Sequence, residues 1–195
     1  SSGVSVQDHT PDKVPAMLGS FHAALERLRQ LPTISIAVVH GFCLGGGLEL
    51  AAACDLVLAS DAARFGQPEI ELGCFPPYAA ALYPARLGHS RTIELLATGR
   101  PLTADEAARI GLVTHVVAPE KLETALDAWL SSLTAKSTAV LRLTKRAVLA
   151  GGSRPFPDAL REAERLYLDE LTRTEDMEEG LAAFLEKRRP SWRHR

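Results

Sequence analysis

A glycine turn followed by a glutamate carries the residue types from which proton-transfer chemistry could be built. Three glycines, Gly45 to Gly47, precede the alanine-rich run Leu48 to Ala53, which predicts a turn that opens a helix. The first N–H groups of a helix are unpaired and its dipole favours negative charge, so they could hold an oxyanion. Glu49 falls within the first turn of that helix. Backbone donors beside a carboxylate are what stabilising an enolate and moving a proton require.

Two further segments could complete such a site. The opening SSGVS is a small-residue turn that could present a backbone N–H, and Glu69 stands in GQPEI among apolar neighbours. Together, Val4, Gly46, Glu49 and Glu69 predict two oxyanion donors and two carboxylates. Glycine turns also cradle phosphates, but the run GGGLE matches neither common phosphate-binding pattern, and no lysine follows it. A lone glutamate such as Glu69 is most often a solvated turn residue, so the residues alone leave that alternative open.

The surrounding pattern predicts the elements that would position these groups. A helix is expected from Asp12 to Gln30, and the β-branched run before the glycine turn predicts a buried strand over residues 33–39. A second strand is expected from Asp55 to Ala59, followed by an irregular or strand-like segment over residues 65–72. This strand–helix–strand alternation indicates an α/β fold with parallel pairing.

The rest of the chain is predicted to be mostly helical. Pro76, Pro77 and Pro84 predict a loop that leads into a short helix, and Thr103 with Glu106 has the spacing of a capping box. The last two helices carry a wide apolar stripe that could dock on another subunit or on their own domain. Helices are expected over residues 90–98, 103–111, 119–133, 139–150, 157–172 and 174–188.

Composition narrows the class of protein. The chain has 195 residues, 46% of them hydrophobic, and a net charge of −2, so no electrostatic feature favours nucleic acid or an anionic membrane as a partner. Cys43, Cys54 and Cys74 are odd in number and lack metal-ligand spacing, which predicts buried, reduced thiols and a cytoplasmic protein. No run is long and apolar enough for a membrane span. The abrupt, polar start without methionine suggests a chain that begins inside a domain.

Five spaced motifs together resemble the enoyl-CoA hydratase/isomerase (crotonase) superfamily over essentially the whole length. The first, SSGVSV, stands where that family has its first oxyanion motif. The other four occur in the family's order: HGFCLGGGLELAAACDLVLAS, FGQPEIELG, TGRPLTADEAARIGLV and GLAAFLEKRRPSW. The resemblance also supports a missing N-terminal part, because the family has further strands before the first motif.

The resemblance implies a fold and a substrate. The expected fold is a spiral of ββα turns over residues 1–132, with a helical region over 133–195 that forms trimers, often paired into hexamers. The expected substrate is an acyl-CoA thioester, with no metal and no redox cofactor, coenzyme A being part of the substrate. Phe184 and Lys187 of one subunit would lie near the CoA moiety of another. A solvated helix-end cation is the alternative for Lys187.

The family pattern also implies roles for the site residues. The N–H groups of Val4 and Gly46 would hold the thioester oxygen. Glu49 would act on water and Glu69 on the α-carbon, and the presence of both glutamates favours hydration. Isomerases typically keep one acid, so isomerase chemistry would be favoured if Glu49→Gln left turnover largely intact. A non-catalytic RNA-binding or scaffolding homologue is the third alternative. The net negative charge argues against RNA binding, because that role needs a basic surface to neutralise phosphates.

One loop departs from common hydratases. Its sequence, CFPPYAAA, replaces a glycine-rich run, and Pro77 stands where those enzymes have a glycine whose N–H helps to hold the water. Proline has no N–H, so the water must be placed otherwise. The loop resembles that of a subgroup that hydrates cyclic dienoyl-CoA esters. Tyr78 could line the acyl pocket or serve in apolar packing.

Overall fold

The structure, a computed structural model, describes residues 1–152 and 154–195. The chain divides into two compact units. The larger comprises residues 1–31 and 35–126, and the smaller comprises residues 32–34 and 127–195. The spiral region 1–132 and the helical region 133–195, which the family resemblance implies, stay a prediction. The two compact units are defined by contacts within the chain and do not test those regions.

Two small sheets lie in the larger unit. The parallel pairing predicted for the first two strands is confirmed, with Ile36 opposite Leu56. The first sheet is fully parallel, in the order β1 (Ile36–Val39), β3 (Leu56–Ser60), β6 (His115–Val117). In the second sheet, β2 (Phe42–Leu44) runs parallel to β4 (Arg64–Gly66), and β4 pairs antiparallel with β5 (Leu102–Thr103). Strand β2 was not predicted, because three residues before a glycine run give no alternating pattern.

Helices account for most of the remaining elements. In the larger unit they are α1 (Val14–Arg29), α2 (Gly46–Ala53), α3 (Pro77–Leu87), α4 (His89–Thr98) and α5 (Ala104–Arg109). Helix α6 (Leu122–Thr134) is followed in the smaller unit by α7 (Thr138–Gly151), α8 (Phe156–Asp169) and α9 (Glu175–Leu185). The predicted capping box of α5 is confirmed, since Thr103 accepts from the Glu106 N–H and Glu106 accepts from the Thr103 N–H at 2.8 Å.

Helix α2 is buried on several faces at once, and this explains its composition. Leu48, Ala51, Ala52 and Ala53 are each no more than 5% exposed. Small side chains let the helix approach its neighbours closely, and alanine has the highest helix propensity, so the run forms a helix despite its short length. The helix is therefore a rigid support for the groups at its N-terminus.

The prediction of a loop that leads into a short helix is confirmed in part: residues 74–76 are irregular, but helix α3 already begins at Pro77 and includes Pro84. Pro76 is the N-cap and Pro77 the first residue of the helix. A proline is tolerated there because the first N–H groups of a helix have no partner inside it. Pro84 lies inside the helix and removes one hydrogen bond without ending it.

The smaller unit is held by a buried polar cluster. Ser137 caps α7 and donates to Asp176, which is 1% exposed and also accepts from the backbone N–H groups of Arg193 and His194. Part of the predicted stripe packs inside this unit, where Leu166 is 3% exposed. Other apolar side chains of α8 and α9 remain exposed: Phe156, Leu160, Tyr167, Leu168, Leu181, Phe184 and Leu185. Over the described residues, the helices are too short or too polar to cross a membrane.

Candidate active site

The N-terminus of α2 presents backbone donors, as predicted. Gly45 precedes it with φ of 55°, in the left-handed region that favours glycine. Its carbonyl accepts from the N–H groups of Leu48 and Glu49, at 2.8 and 3.1 Å. Gly46, the first residue of the helix, lies too early for its N–H to have a partner inside α2. That N–H is therefore available to an acceptor outside the helix.

The opening segment of the chain lies directly against this donor. A Cβ built on Gly3 would be 2.5 Å from the Gly46 nitrogen and 3.0 Å from its Cα, closer than real contacts allow. Gly3 also has φ of +88°, so both sterics and backbone conformation call for glycine. The close approach places Val4 beside the start of α2, and both Val4 and Gly46 line the same cleft.

Glu49 is held by the N-terminus of a second helix. Its side chain is buried, and its Oε1 accepts a 2.8 Å hydrogen bond from the N–H of Ala79, the third residue of α3. The Ala79 N–H is one of the donors that a helix leaves unpaired at its start. Helix α3, which begins with a proline at position 77, therefore still supplies a backbone donor two residues later. That donor binds the carboxylate and leaves the second oxygen, Oε2, for another partner.

Glu69 is held by a buried amide. The Gln67 side chain is fully buried. Its amide forms hydrogen bonds with all of its polar neighbours when its nitrogen faces Glu69 and its oxygen accepts from the Tyr83 hydroxyl at 2.8 Å. In that orientation the nitrogen lies 3.1 Å from each carboxylate oxygen of Glu69 and 3.2 Å from the Gly45 carbonyl oxygen. One amide thus connects the carboxylate to the turn that carries the Gly46 N–H.

Burial affects the ionisation of both glutamates. It raises the pKa of Glu49, an effect that the Ala79 N–H partly offsets. It also raises the pKa of Glu69, mainly through desolvation; the negative charge of Glu49 adds to this, while the backbone N–H of Glu69 and the charge of His9 oppose it. Two carboxyl groups whose pKa values are both raised are suited to exchanging protons with a ligand.

These groups line one cleft of about 420 Å³. Val4, Gly46, Glu49, Glu69 and Pro77 all contribute to its wall, so the structure brings together five of the predicted site residues. A larger, open depression of about 830 Å³ along β1 and β2 contains neither glutamate. Apolar side chains also line the cleft, which suits the acyl part of a ligand: Val14, Met17, Leu18, Phe21, Leu72 and Phe75.

Three other predicted site residues are not among the described residues that line the cleft. Tyr78 packs against Leu25 and Ala53, and its hydroxyl donates to Glu26 at 3.0 Å, which favours the packing alternative over the pocket role. Phe184 and Lys187 belong to the smaller unit, where Phe184 is 80% exposed on α9 and Lys187 follows the helix with φ of 55°. A contact of these two residues with coenzyme A stays a prediction.

Two partners of the glutamates were missed from the sequence. Gln67 stood in a segment read as irregular, where a single polar residue among apolar neighbours was the available signal. The Ala79 N–H could not be assigned, because the prolines predicted a loop that leads into a short helix and did not show where that helix begins. Cys74 was expected to be buried, but it is half-buried and lines the cleft, and its thiol donates to the Glu69 carbonyl at 3.4 Å. None of the three cysteines is in a disulfide.

Comparison with known proteins places this chain in a family of enzymes. The family model for enoyl-CoA hydratase/isomerase matches residues 2–195. A cyclohexa-1,5-dienecarbonyl-CoA hydratase of Thauera aromatica is 41% identical over 100% of this chain and 75% of its own length. The probable enoyl-CoA hydratase of Mycobacterium bovis is 40% identical over 92% of this chain and 70% of its own.

Solved structures agree with the sequence relatives. A crystal structure of an enoyl-CoA hydratase from Geobacillus kaustophilus superposes with a TM-score of 0.94 at 31% identity, covering 100% of this chain and 75% of that one. The chain belongs to the enoyl-CoA hydratase/isomerase family and has its crotonase fold. The predicted membership of this enzyme family is confirmed.

Proposed function

We propose that the protein adds water across the carbon–carbon double bond of an enoyl-CoA thioester, without a metal or redox cofactor. One observation carries the proposal: two backbone donors, at Val4 and Gly46, and two carboxylates, Glu49 and Glu69, line a single cleft with an apolar wall. The names of the family and of its relatives support the same reaction. Coenzyme A enters as part of the substrate.

The backbone donors act on the thioester oxygen. When an oxygen nucleophile attacks the β-carbon, the electrons of the double bond shift toward the carbonyl, and negative charge develops on its oxygen. The N–H groups of Val4 and Gly46 stabilise that charge, and the close packing of Gly3 against Gly46 supports the two segments that carry them. One such donor contributes about 3 kcal/mol to the stability of a transition state.

Glu49 activates the water. Its Oε1 is engaged by the Ala79 N–H, so Oε2 is the oxygen that accepts the proton as the water oxygen bonds to the β-carbon. The same N–H orients the Glu49 carboxylate. This orientation compensates for the N–H that Pro77 lacks, which in common hydratases helps to hold the water. The raised pKa of Glu49 makes it a stronger base than an ordinary glutamate, provided that it is ionised when the water binds.

Glu69 delivers the second proton. It starts protonated, transfers its proton to the α-carbon as the enolate collapses, and ends as a carboxylate held by Gln67. One proton has moved to Glu49 and one has left Glu69, so the product has gained one water. Burial and the nearby charge of Glu49 raise the pKa of Glu69, which favours the protonated form that hydration needs.

A cyclic dienoyl-CoA ester is the finer proposal for the substrate. The relative from Thauera aromatica is named for the hydration of cyclohexa-1,5-dienecarbonyl-CoA. The Pro76–Pro77 loop lines the same cleft and resembles the loop of that subgroup. Linear enoyl thioesters are the competing substrates.

Loss of ultraviolet absorbance of the conjugated thioester tests the proposal. Crotonyl-CoA and cyclohexa-1,5-dienecarbonyl-CoA are compared side by side, with Glu49→Gln and Glu69→Gln as variants. We expect hydration of the cyclic ester, with each variant slowed by at least about a hundredfold. Preferred hydration of crotonyl-CoA would contradict the cyclic substrate. Turnover largely intact in Glu49→Gln would favour isomerase chemistry, and no turnover of either thioester would favour a non-catalytic binding subunit.

We also propose that the protein forms homotrimers or hexamers. The support is the apolar surface of α8 and α9, on which Phe156, Phe184 and Leu185 are each more than 75% exposed. In such an assembly Phe184 and Lys187 would approach the coenzyme A of a neighbouring subunit. Sedimentation equilibrium tests this, and a monomer at micromolar concentration would contradict it.

A further inference from the structure

A tyrosine next to the backbone donor that holds Glu49 joins three helices. Tyr78 is the second residue of α3 and directly precedes Ala79, whose N–H donates to Glu49 Oε1 at 2.8 Å. The Tyr78 side chain packs on Leu25 of α1 and on Ala53, the last residue of α2. It therefore contacts both the helix whose side chains line the cleft and the helix that carries Glu49.

The hydroxyl of Tyr78 ties the start of α3 to α1. It donates to Glu26 Oε1 at 3.0 Å, across 52 residues of the chain. Burial, followed by the hydrogen bond to Glu26, raises the pKa of Tyr78 to about 12, so the hydroxyl keeps its proton and remains a donor near neutral pH. Glu26 also forms an ion pair with Arg29 at 3.6 Å, and its side chain is 46% exposed. An ionised carboxylate accepts a stronger hydrogen bond than a neutral oxygen does, so this contact is well suited to hold two helices together.

The first turn of α3 directs one backbone donor at Glu49. The first residue of this helix is a proline and has no N–H. The Ala80 N–H donates to the carbonyl of the N-cap residue at 3.0 Å, whereas the Ala79 N–H donates to the carboxylate. Because Ala79 follows Tyr78 directly, a shift of Tyr78 also moves this N–H relative to Glu49.

We propose that Tyr78 is a positioning residue: its hydrogen bond to Glu26 holds the start of α3 in place, so that the neighbouring N–H keeps the Glu49 carboxylate oriented for its work on water. This inference rests on the proposed role of Glu49. Hydration needs one carboxylate oxygen engaged and the other free to take a proton from water. Tyr78, which is not among the described residues that line the cleft, acts on this step through Ala79.

Substitutions at both ends of the hydrogen bond test the proposal. Tyr78→Phe removes the hydroxyl and keeps the ring, Glu26→Met removes the acceptor at a half-exposed position, and Glu26→Gln keeps a carbonyl oxygen as the conservative rescue. For hydration of the preferred enoyl-CoA ester, we expect kcat to fall roughly tenfold in Tyr78→Phe and Glu26→Met, with KM within about twofold, and Glu26→Gln to stay near the wild type. The double variant should be no slower than the slower single one, because both changes remove the same bond. Glu94→Met is the matched control, since it removes an ion pair with Arg91 of the same spacing on α4, and it should keep full activity.

The pKa of Glu49 reports whether its hydrogen bond is intact. Burial raises this pKa and the Ala79 N–H opposes the effect, so displacing the N–H raises the pKa further. Among the described residues, the ionisable groups whose own pKa values respond to the charge of Glu49 are Glu69 and Tyr83. The test substitutions alter neither of them, so a change in the titration of Glu49 can be attributed to Ala79.

Direct titration of Glu49 separates positioning from a simple loss of stability. The carboxyl carbon is followed by NMR in ¹³C-glutamate-labelled protein without substrate, and Glu49→Gln assigns the signal. We expect a higher titration midpoint in Tyr78→Phe and Glu26→Met, and the wild-type midpoint in Glu26→Gln and Glu94→Met. A wild-type midpoint in both variants that break the bond, whatever their Tm, would overturn the inference. Full activity of Glu49→Gln would instead overturn the proposed function.

Discussion

Replacing Gly3 with alanine perturbs the oxyanion donors without touching either glutamate. The added Cβ would meet the Gly46 nitrogen at 2.5 Å, whereas ordinary contacts begin near 3.4 Å, so one backbone must move by about 0.9 Å. Both backbones carry a proposed donor, so the movement changes the distance between two groups that must reach one oxygen. Misplacement by about 1 Å can cost on the order of a hundredfold in rate.

The assay is the hydration of the preferred enoyl-CoA ester, followed by its ultraviolet absorbance. For Gly3→Ala we expect kcat to fall by about 10²- to 10³-fold, the range found for losing one oxyanion donor. Thermal unfolding is measured alongside, because φ of +88° makes the substitution strained and a lower Tm is expected.

Gly19→Ala is the matched control. Gly19 lies in α1, and a Cβ there would have no neighbour within 4 Å, so this variant should keep full activity and gain slightly in Tm. If folded Gly3→Ala hydrates the ester within about twofold of the wild type, the close approach of the two segments is not part of an oxyanion site.

Three further predictions concern the supports of the site and the fold. Gln67→Met leaves the buried Tyr83 hydroxyl and the Glu69 carboxylate without their amide partner, so we expect at least about tenfold lower kcat and about 1–3 kcal/mol lower stability in urea unfolding; unchanged values would contradict the bridge. Glu49→Gln should abolish activity yet raise Tm at neutral pH. The pKa of Glu49 is raised in the folded state above its ordinary value of 4.5, so the ionised carboxylate lowers the stability of the wild type as pH rises through the folded-state pKa. The gain in Tm of Glu49→Gln over the wild type should therefore vanish toward pH 4.5. A lower Tm of the variant at neutral pH would contradict this. Thr103→Ala removes the capping box of α5 and should cost about 1 kcal/mol in unfolding with activity unchanged, whereas an unchanged Tm would show that the cap contributes nothing.

The sequence identified the parts of the site whose chemistry depends on residue type. A glycine run before an alanine-rich segment predicts a turn that opens a helix, and Glu49 is the fourth residue of that helix, so helix α2 and its donor were predictable. Parallel pairing followed from the alternation of elements, and the pairing of β1 with β3 bears it out. Glu69 could be assigned only through its motif, because a lone glutamate gives no local signal.

The contacts that fix the glutamates could not be predicted, because they join residues far apart in the chain. The Ala79 N–H reaches Glu49 across 30 residues, and it does so only because residues 77–87 are helical. Prolines at the start of a helix look the same in sequence as prolines in a loop, since both positions tolerate the missing N–H. Tyr78 was similarly ambiguous, because a tyrosine suits a pocket wall and a packed core with one polar partner equally well.

The measurement that tests the central claim most directly is hydration in ¹⁸O-labelled water, with the product analysed by mass spectrometry. The wild type should convert the enoyl-CoA ester to a product heavier by one molecule of labelled water. Glu49→Gln and Glu69→Gln should each lower the rate of that conversion by at least about a hundredfold while remaining folded. An isomerised product with no gain in mass, or labelled product formed at the wild-type rate by both variants, would contradict the account.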